Sequence, residues 1–274
     1  MYSHFDSNIW ITPFGLIFVA AIMTAWAFAR RNAALLSVDA SHVDLLMPVA
    51  LIAGVAGGTV IAILMQMDHG IRLRLFGILA AGAVALFVYS RLTQLSFRRL
   101  LDIFALPVLV GLMIHRMGCF LAGCCWGDIA SHDTAGSFTS QVQTLPFING
   151  LTSGVQYPPG SFAFEQHVAM GLIDPGTVAS LPVVPVQLYE AALLLIVVLV
   201  LLRFPWRDYP RGSIAVIATC TYALIRFFIE YLRADGHIVM GNLTVTQLQC
   251  LLLLCSAILL PGMLKRPGRT TTKA

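Results

Sequence analysis

Apolar and polar positions along this chain separate into seven long blocks. Near residues 11–29, 43–65, 74–90, 101–125, 186–202, 212–232 and 243–263 the sequence is almost continuously apolar. A helix needs roughly 20 mostly apolar residues to cross about 30 Å of hydrocarbon, and each block approaches that length. The third is short and the fourth and sixth are interrupted by charge, so their ends are the least defined. The pattern predicts an all-α polytopic membrane protein, a single domain of seven transmembrane helices over residues 1–274.

Composition agrees with that pattern. Of the 274 residues, 58% are hydrophobic and only 11% charged, against about 25% charged in a soluble domain. Mean hydropathy is +0.83. The few charges are placed asymmetrically. Arg30 and Arg31 follow the first block, Arg91, Arg98 and Arg99 lie between the third and fourth, and Arg203, Arg207 and Arg211 between the fifth and sixth. With Lys265, Arg266, Arg269 and Lys273 in the tail, twelve of seventeen basic residues share one side. The positive-inside rule places that side in the cytoplasm, so the N-terminus is expected outside and the C-terminus inside. The opening "MYSHFDSN" lacks the basic region of a secretory signal peptide, so the first span is expected to be retained. The arginines form no basic face, which argues against nucleic acid as a partner.

Residues 128–183 contain no Lys or Arg and fall on the outer side between the fourth and fifth spans. A connection this long is usually functional or disordered. It reads as a small external cap, with "SFAFEQHVAMGLI" forming a short helix over the membrane mouth and Phe162, Val168 and Leu172 near one face.

Ionisable residues inside spans are costly and mark cavities or partners. "GLMIHRMGCFLAGCCWGD" places His115, Arg116, Cys119, Cys124 and Cys125 at the end of the fourth span. "YALIRFFIEYLRAD" places Arg226, Glu230 and Arg233 on one helix face of the sixth. One reading is a self-neutralising ion-pair ladder. The other is an anion site, with Arg116 and Arg226 converging on a phosphate that their planar forks suit and Glu230 orienting one of them. Gln187, Tyr189 and Glu190 open the fifth span in "PVQLYE". There the helix dipole alone accounts for Glu190 as readily as a role in a site does. Cys220, Cys250 and Cys255 read as packing residues.

"HRMGCFLAGCCWG", "PVQLYE" and "RGSIAVIATCTYALIRFFIEYLRAD", in this order and separated by an external loop, resemble the bacterial prolipoprotein diacylglyceryl transferases. The resemblance runs from about residue 72 to the C-terminus. It implies a multi-pass enzyme of the bacterial inner membrane with its site open toward the periplasm. Such an enzyme takes diacylglyceryl from phosphatidylglycerol, or a similar anionic phospholipid, to the lipobox cysteine of a preprolipoprotein and releases glycerol phosphate. The family signature G-R-x-G-N-F-x-N-G-E-x-x-G falls on His115 to Gly127, its arginine on Arg116 and its closing glycine on Gly127. The second essential arginine falls on Arg226, followed by Glu230 and Arg233, and the H-P-x-Q-L-Y-E motif on Val184 to Glu190. The departures are specific. Cys119 replaces the signature asparagine, Cys124 the signature glutamate, and Val184 the motif histidine. Phe76 stands where the family has its catalytic histidine, and Thr59 where an arginine is common.

The resemblance assigns phosphate binding to Arg116 and Arg226, with Glu230, Arg233, Gln187, Tyr189, Glu190, Gly127 and Cys124 around the lipid head. Because a thiolate is the attacking species, a proton acceptor is needed in place of Phe76. His115 is the candidate, four residues before Cys119 and on its helical face; His69 and His167 are weaker ones. Cys119 reads either as a packing thiol or as a nucleophile activated by His115 that carries the lipid covalently. Cys124 or Cys125 paired with Cys119 is a further alternative. No metal and no cofactor are expected. Two other functions stay open: a phospholipid-dependent transferase with another acceptor or moving the head group, and a non-catalytic lipid-binding protein.

Overall fold

The computed structural model describes residues 13–65, 70–130, 154–206, 208–233, 238–240 and 243–263. Its helices are α1 (Pro13–Leu35), α2 (Ala40–Met65), α3 (Gly70–Thr93), α4 (Phe97–Ala122), α5 (Phe162–Ala169), α6 (Val186–Arg203), α7 (Ser213–Ile229) and α8 (Val245–Met263). A 3-10 turn, Glu230–Leu232, extends α7, and a two-stranded antiparallel hairpin of β1 (Ile238–Met240) and β2 (Leu243–Thr244) leads into α8. Each apolar block therefore carries a helix. Four stretches, Ala40–Ile61, Phe97–Ala122, Val186–Arg203 and Ser213–Leu232, are long and apolar enough to cross a membrane. The described residues are thus helical as expected, with this five-residue hairpin as a small addition.

Two helix ends differ from the sequence boundaries. α1 continues through Arg30 and Arg31 to Leu35, since arginine favours a helix and apolarity marks only its lipid-facing length. α4 stops at Ala122 rather than 125. Gly123 adopts φ 66°, the Gly123 N–H bonds the Phe120 carbonyl at 3.1 Å, and the Cys124 N–H bonds that of Cys119 at 3.1 Å. This double bond pattern closes a helix through a left-handed residue, which glycine accepts without strain.

α4 is the shared helix of the bundle. On one side Leu100 and Ile103 join Ala29, Ala33, Val43, Leu46 and Leu86 from α1, α2 and α3. On the other, Leu106, Leu109 and Val110 pack with Leu194 and Val198 of α6 and Ile214, Ala218 and Tyr222 of α7. α8 lies against α7. Between α2 and α3 the backbones nearly touch: a Cβ on Gly57 would come within 2.4 Å of Ala81 Cβ and 2.8 Å of the Gly77 carbonyl. Small residues permit this approach in membrane helices. Large apolar side chains such as Ile52, Val55, Ile196, Leu252 and Ile258 stay exposed on the outside of the bundle, as a lipid-facing surface requires.

Polar contacts gather the arginine-rich ends. The Trp26 indole donates to Asp44 at 2.8 Å, the buried Asn32 amide donates to the Ile103 carbonyl at 3.0 Å, and His42 meets the Tyr89 hydroxyl at 2.7 Å. Asp102, buried on α4, accepts from the Gly212 N–H at 2.5 Å and the Ala215 N–H at 2.9 Å. It thereby caps the first turn of α7 from a neighbouring helix, satisfying donors that a helix start leaves open. The cap also fixes relative height. Arg116 lies fourteen residues beyond Asp102, about 21 Å along α4, and Arg226 eleven beyond Ala215, about 17 Å along α7. Both arginines thus reach the opposite end of the bundle within about one helical turn of each other.

Over that end the chain after α4 is stitched to the segment before α6. Ala130 N–H bonds Pro182 O at 2.8 Å, Val155 and Val183 exchange backbone bonds at 2.9 and 3.0 Å, and the Tyr157 N–H bonds Ser180 Oγ at 2.9 Å. α5 begins at Ser161, whose side chain accepts from the Phe164 N–H at 3.3 Å. Its buried face is Ala163, Phe164 and His167, while Phe162 and Leu172 are exposed. This corrects the face expected from the sequence. Packing of Ala163 with Tyr157 and Val183 turns the helix the other way.

Gly127 lies where this segment passes α6 and the end of α7. Its N–H bonds Val184 O at 2.8 Å, and a Cβ there would sit 2.6 Å from Leu232 O and from Val186 Cγ1. Gly127→Ala is expected to lower the thermal midpoint in detergent, while Gly82→Ala, where a Cβ meets nothing within 4 Å, leaves it unchanged. Asp102→Ala strips partners from two N–H groups of the α7 start, and is expected to cost about 1–3 kcal/mol, read in the same thermal assay.

Candidate functional site

The last turns of α4, the first turns of α6 and the end of α7 bring their charged residues together. Arg116 Nε lies 2.9 Å from Glu190 Oε2, with side chains 9% and 1% exposed. This contact settles the role of Glu190: it is the buried partner of the signature arginine, beyond any effect of the helix dipole. One turn earlier on α6, Gln187 donates to the Cys124 carbonyl at 2.6 Å, tying α6 to the turn that follows α4.

Arg226 Nη2 lies 2.9 Å from Glu230 Oε2, and Arg233 Nε 3.9 Å from the same oxygen. Thr244, from the hairpin, donates to Glu230 Oε1 at 3.3 Å, and Arg233 Nη1 donates to the Cys125 carbonyl at 3.5 Å. The ladder foreseen as one alternative is therefore present. It holds the arginines in place without using all their donors: among the described residues, Arg226 Nη1 is buried with no hydrogen-bond partner, as are the Tyr222 hydroxyl and Glu190 Oε1.

Each arginine is anchored by its own carboxylate, and Tyr222 is the group within electrostatic reach of both guanidinium groups and of Glu190. Three guanidinium groups face two carboxylates here, all at most 10% exposed, a net charge of +1. Buried polar groups are normally hydrogen-bonded. A buried cluster with one surplus positive charge and unmatched polar atoms is suited to a singly charged anion bearing several oxygens.

A cavity of about 530 Å³ runs from this end toward the basic end. His115 and Tyr222 line one part of it and Arg98 another, with α1, α2, α3, α7 and α8 completing its walls. Along α4 its lining residues extend from Arg98 to His115, about 25 Å of helix rise, close to the thickness of a hydrocarbon core. Its walls are apolar, and liners such as Phe18, Leu51, Ile78 and Val108 are also exposed on the outside of the bundle, so it opens sideways between helices.

The His115 Nε2 lies 3.5 Å from Cys119 Sγ, the contact expected from their four-residue spacing. Cys119, Cys124 and Cys125 are free thiols, so the bridged alternative is not the form seen. Tyr189 packs with Val184, Val186 and Ile229, and Gly127 is a close-packing position against Val186 and the Leu232 carbonyl. His167 is fully buried in the cap, where its Nδ1 accepts from the Leu181 N–H at 3.2 Å and its ring meets Trp126 edge-on at 4.9 Å. Burial holds its pKa below the ordinary value. The Thr59 hydroxyl bonds back to Val55 O at 2.8 Å within α2. His69 and the Phe76 side chain lie outside the described residues.

Two participants escaped the sequence reading. Tyr222 precedes Arg226 by four residues and so shares its face, a spacing that could have revealed it. Tyr157 comes from the cap; its hydroxyl approaches Gln187, and burial pushes its pKa up to about 12. No local pattern marks a loop tyrosine for such a place.

Comparison with known proteins now bears on this geometry. The profile of the family described as prolipoprotein diacylglyceryl transferase matches residues 3–262. A phosphatidylglycerol–prolipoprotein diacylglyceryl transferase of Allorhizobium ampelinum is 27% identical over 94% of this chain and 87% of its own length. One from Rhizobium meliloti is 28% identical over 80% and 74%. A second-copy enzyme from Clostridium perfringens is 24% identical over 81% and 78%. With nearly its whole length matched and the signature arginine in a buried, charge-rich cluster, the chain belongs to the prolipoprotein diacylglyceryl transferase family.

Proposed function

We propose that this protein is a bacterial inner-membrane transferase that takes diacylglyceryl from phosphatidylglycerol to the lipobox cysteine of a preprolipoprotein, releasing glycerol phosphate. Family membership supports the reaction class, and the relatives' names supply the lipid and the acceptor. The observation that carries the reading to these residues is the surplus positive charge of the Arg116, Arg226 and Arg233 cluster beside an apolar cavity. A phosphodiester carries one negative charge, and its acyl chains need an apolar channel open to the bilayer.

In this reading Arg116, Arg226 and Tyr222 hold the phosphate, Glu190 and Glu230 keep the arginines aimed, and Gln187, Cys124 and Arg233 shape the head-group side. The acceptor thiolate attacks the glycerol carbon next to the phosphate. A C–S bond forms, the C–O bond to phosphate breaks, and the charge that grows on the departing phosphate is stabilised by preorganised guanidinium groups. His115 accepts the thiol proton, with the Cys119 sulfur beside its Nε2. The seven long helices span the membrane as one domain, the arginine-rich end in the cytoplasm, the N-terminus outside and the C-terminus inside. Residues 128–183 form a periplasmic cap over the site.

Purified protein, labelled phosphatidylglycerol and a lipobox peptide provide the test. Wild type is expected to release glycerol phosphate and to alkylate the peptide cysteine. Arg116→Ala and Arg226→Ala are expected to reduce the rate about 10²–10³-fold or more, and Arg203→Ala, exposed at the far end, to leave it unchanged. Equal loss in all three, or lipid turnover without peptide alkylation, overturns the assignment. Complementation of a strain depleted of its own diacylglyceryl transferase gives the same answer in cells.

A further inference from the structure

Three thiols at the end of α4 form and break no bond in the reaction above, although Cys124 borders the head-group side and Cys119 lies beside His115. Cys119 lies in the last turn of the helix, Cys124 and Cys125 just after the turn at Gly123, and all three sulfurs lie within 4.8 Å of one another. Their convergence depends on backbone that the chain adopts at some cost. Gly123 reverses the helix at φ 66°, and Cys125 follows at φ 59°, a left-handed conformation that crowds the Cβ of a side-chain-bearing residue. Strain of this kind persists where the surroundings enforce it, and it concentrates at functional sites. Here Gln187 holds the Cys124 carbonyl at 2.6 Å and Arg233 the Cys125 carbonyl at 3.5 Å. The turn is thus fixed from α6 and from the end of α7, with Cys119 buried beneath it.

We infer that Cys119, Cys124 and Cys125 form a trithiolate site for a thiophilic d10 cation of the Zn(II) or Cu(I) class. A metal–sulfur bond of about 2.3 Å sets sulfurs about 3.8 Å apart in a tetrahedral site and about 4.0 Å apart in a trigonal one. Sulfurs already within 4.8 Å meet either requirement through small side-chain rotations. Thiolates select soft cations over magnesium or calcium. Binding releases the thiol protons to solvent and forms three metal–sulfur bonds without any change of oxidation state. The Arg116 and Arg233 guanidinium groups lie within electrostatic reach of the Cys125 sulfur. This departs from the absence of a metal expected from the sequence, where three thiols and one histidine at this spacing are few ligands and do not show that the sulfurs converge.

The site is tested on the reduced, full-length protein in detergent, stripped with chelator and then loaded anaerobically with Zn(II) or with Cu(I) in separate arms. One equivalent per chain is expected in at least one arm, with a metal–sulfur shell near 2.3 Å in X-ray absorption. Cys119→Ser, Cys124→Ser and Cys125→Ser should each weaken binding about tenfold or more, with Cys220→Ser as the unaffected control. Size-exclusion profiles confirm that each variant is folded. Failure of the reduced wild type to retain either metal overturns the inference, as does binding indifferent to all three serine substitutions. So does metal-induced formation of a disulfide among these cysteines. The readout is metal content, so its failure leaves the transferase reading standing, and loss of lipid turnover leaves this one standing.

Discussion

Five ionised side chains sit at one end of this bundle with almost no exposure, and the surrounding structure is arranged around the cost of burying them. Moving a charge out of water is expensive, and removing one partner of a buried pair typically costs about 3–5 kcal/mol. The Arg116–Glu190 contact at 2.9 Å joins α4 to α6, and the Arg226–Glu230 contact at 2.9 Å ties the end of α7 to its own extension and, through Thr244, to the hairpin before α8. Without these carboxylates the arginines would turn outward to water or to lipid head groups. With them, the guanidinium groups stay inside, and Arg226 Nη1 remains without a hydrogen-bond partner among the described residues.

Rigidity at the site comes from the same contacts. Gln187 and Arg233 each hold a carbonyl of the turn after α4, and Tyr157 of the cap covers that turn, 2.9 Å from where a Cβ on Gly123 would lie. The cap is thus fastened to the end of α4 by packing as well as by backbone bonds. The apolar cavity approaches from the opposite direction, so the cluster stands between a lipid-accessible channel and a polar cap. That order suits a reaction joining a lipid to a thiol.

Much of this was legible in the sequence because membrane helices are written in long apolar runs. Those runs placed the seven long helices of the described residues, and the interruptions at Arg116 and Arg226 picked out the buried charged cluster. Spacing also gave the His115–Cys119 contact, since four residues is one helical turn. Contacts between distant segments were not legible. Nothing near Glu190 shows that its partner is Arg116, seventy-four residues earlier. Likewise, nothing near Asp102 shows that it caps a helix more than one hundred residues later. The face of α5 was misread because the cap's packing, rather than the hydropathy of one short helix, decides which side is buried. The close packing around Tyr189 and Gly127 is likewise something a motif does not convey.

The bond from Asp102 to the start of α7 has a consequence for how this protein can vary. It makes α4 and α7 two rulers with a common zero, and the distance from that zero to each arginine is counted in residues. Losing one residue between Asp102 and Arg116 would draw the guanidinium back about 1.5 Å and swing it about 100° around the helix, away from Glu190. Lineages of this chain should therefore change freely in loop length and cap size, while the spacing inside these two helices stays constant to the residue.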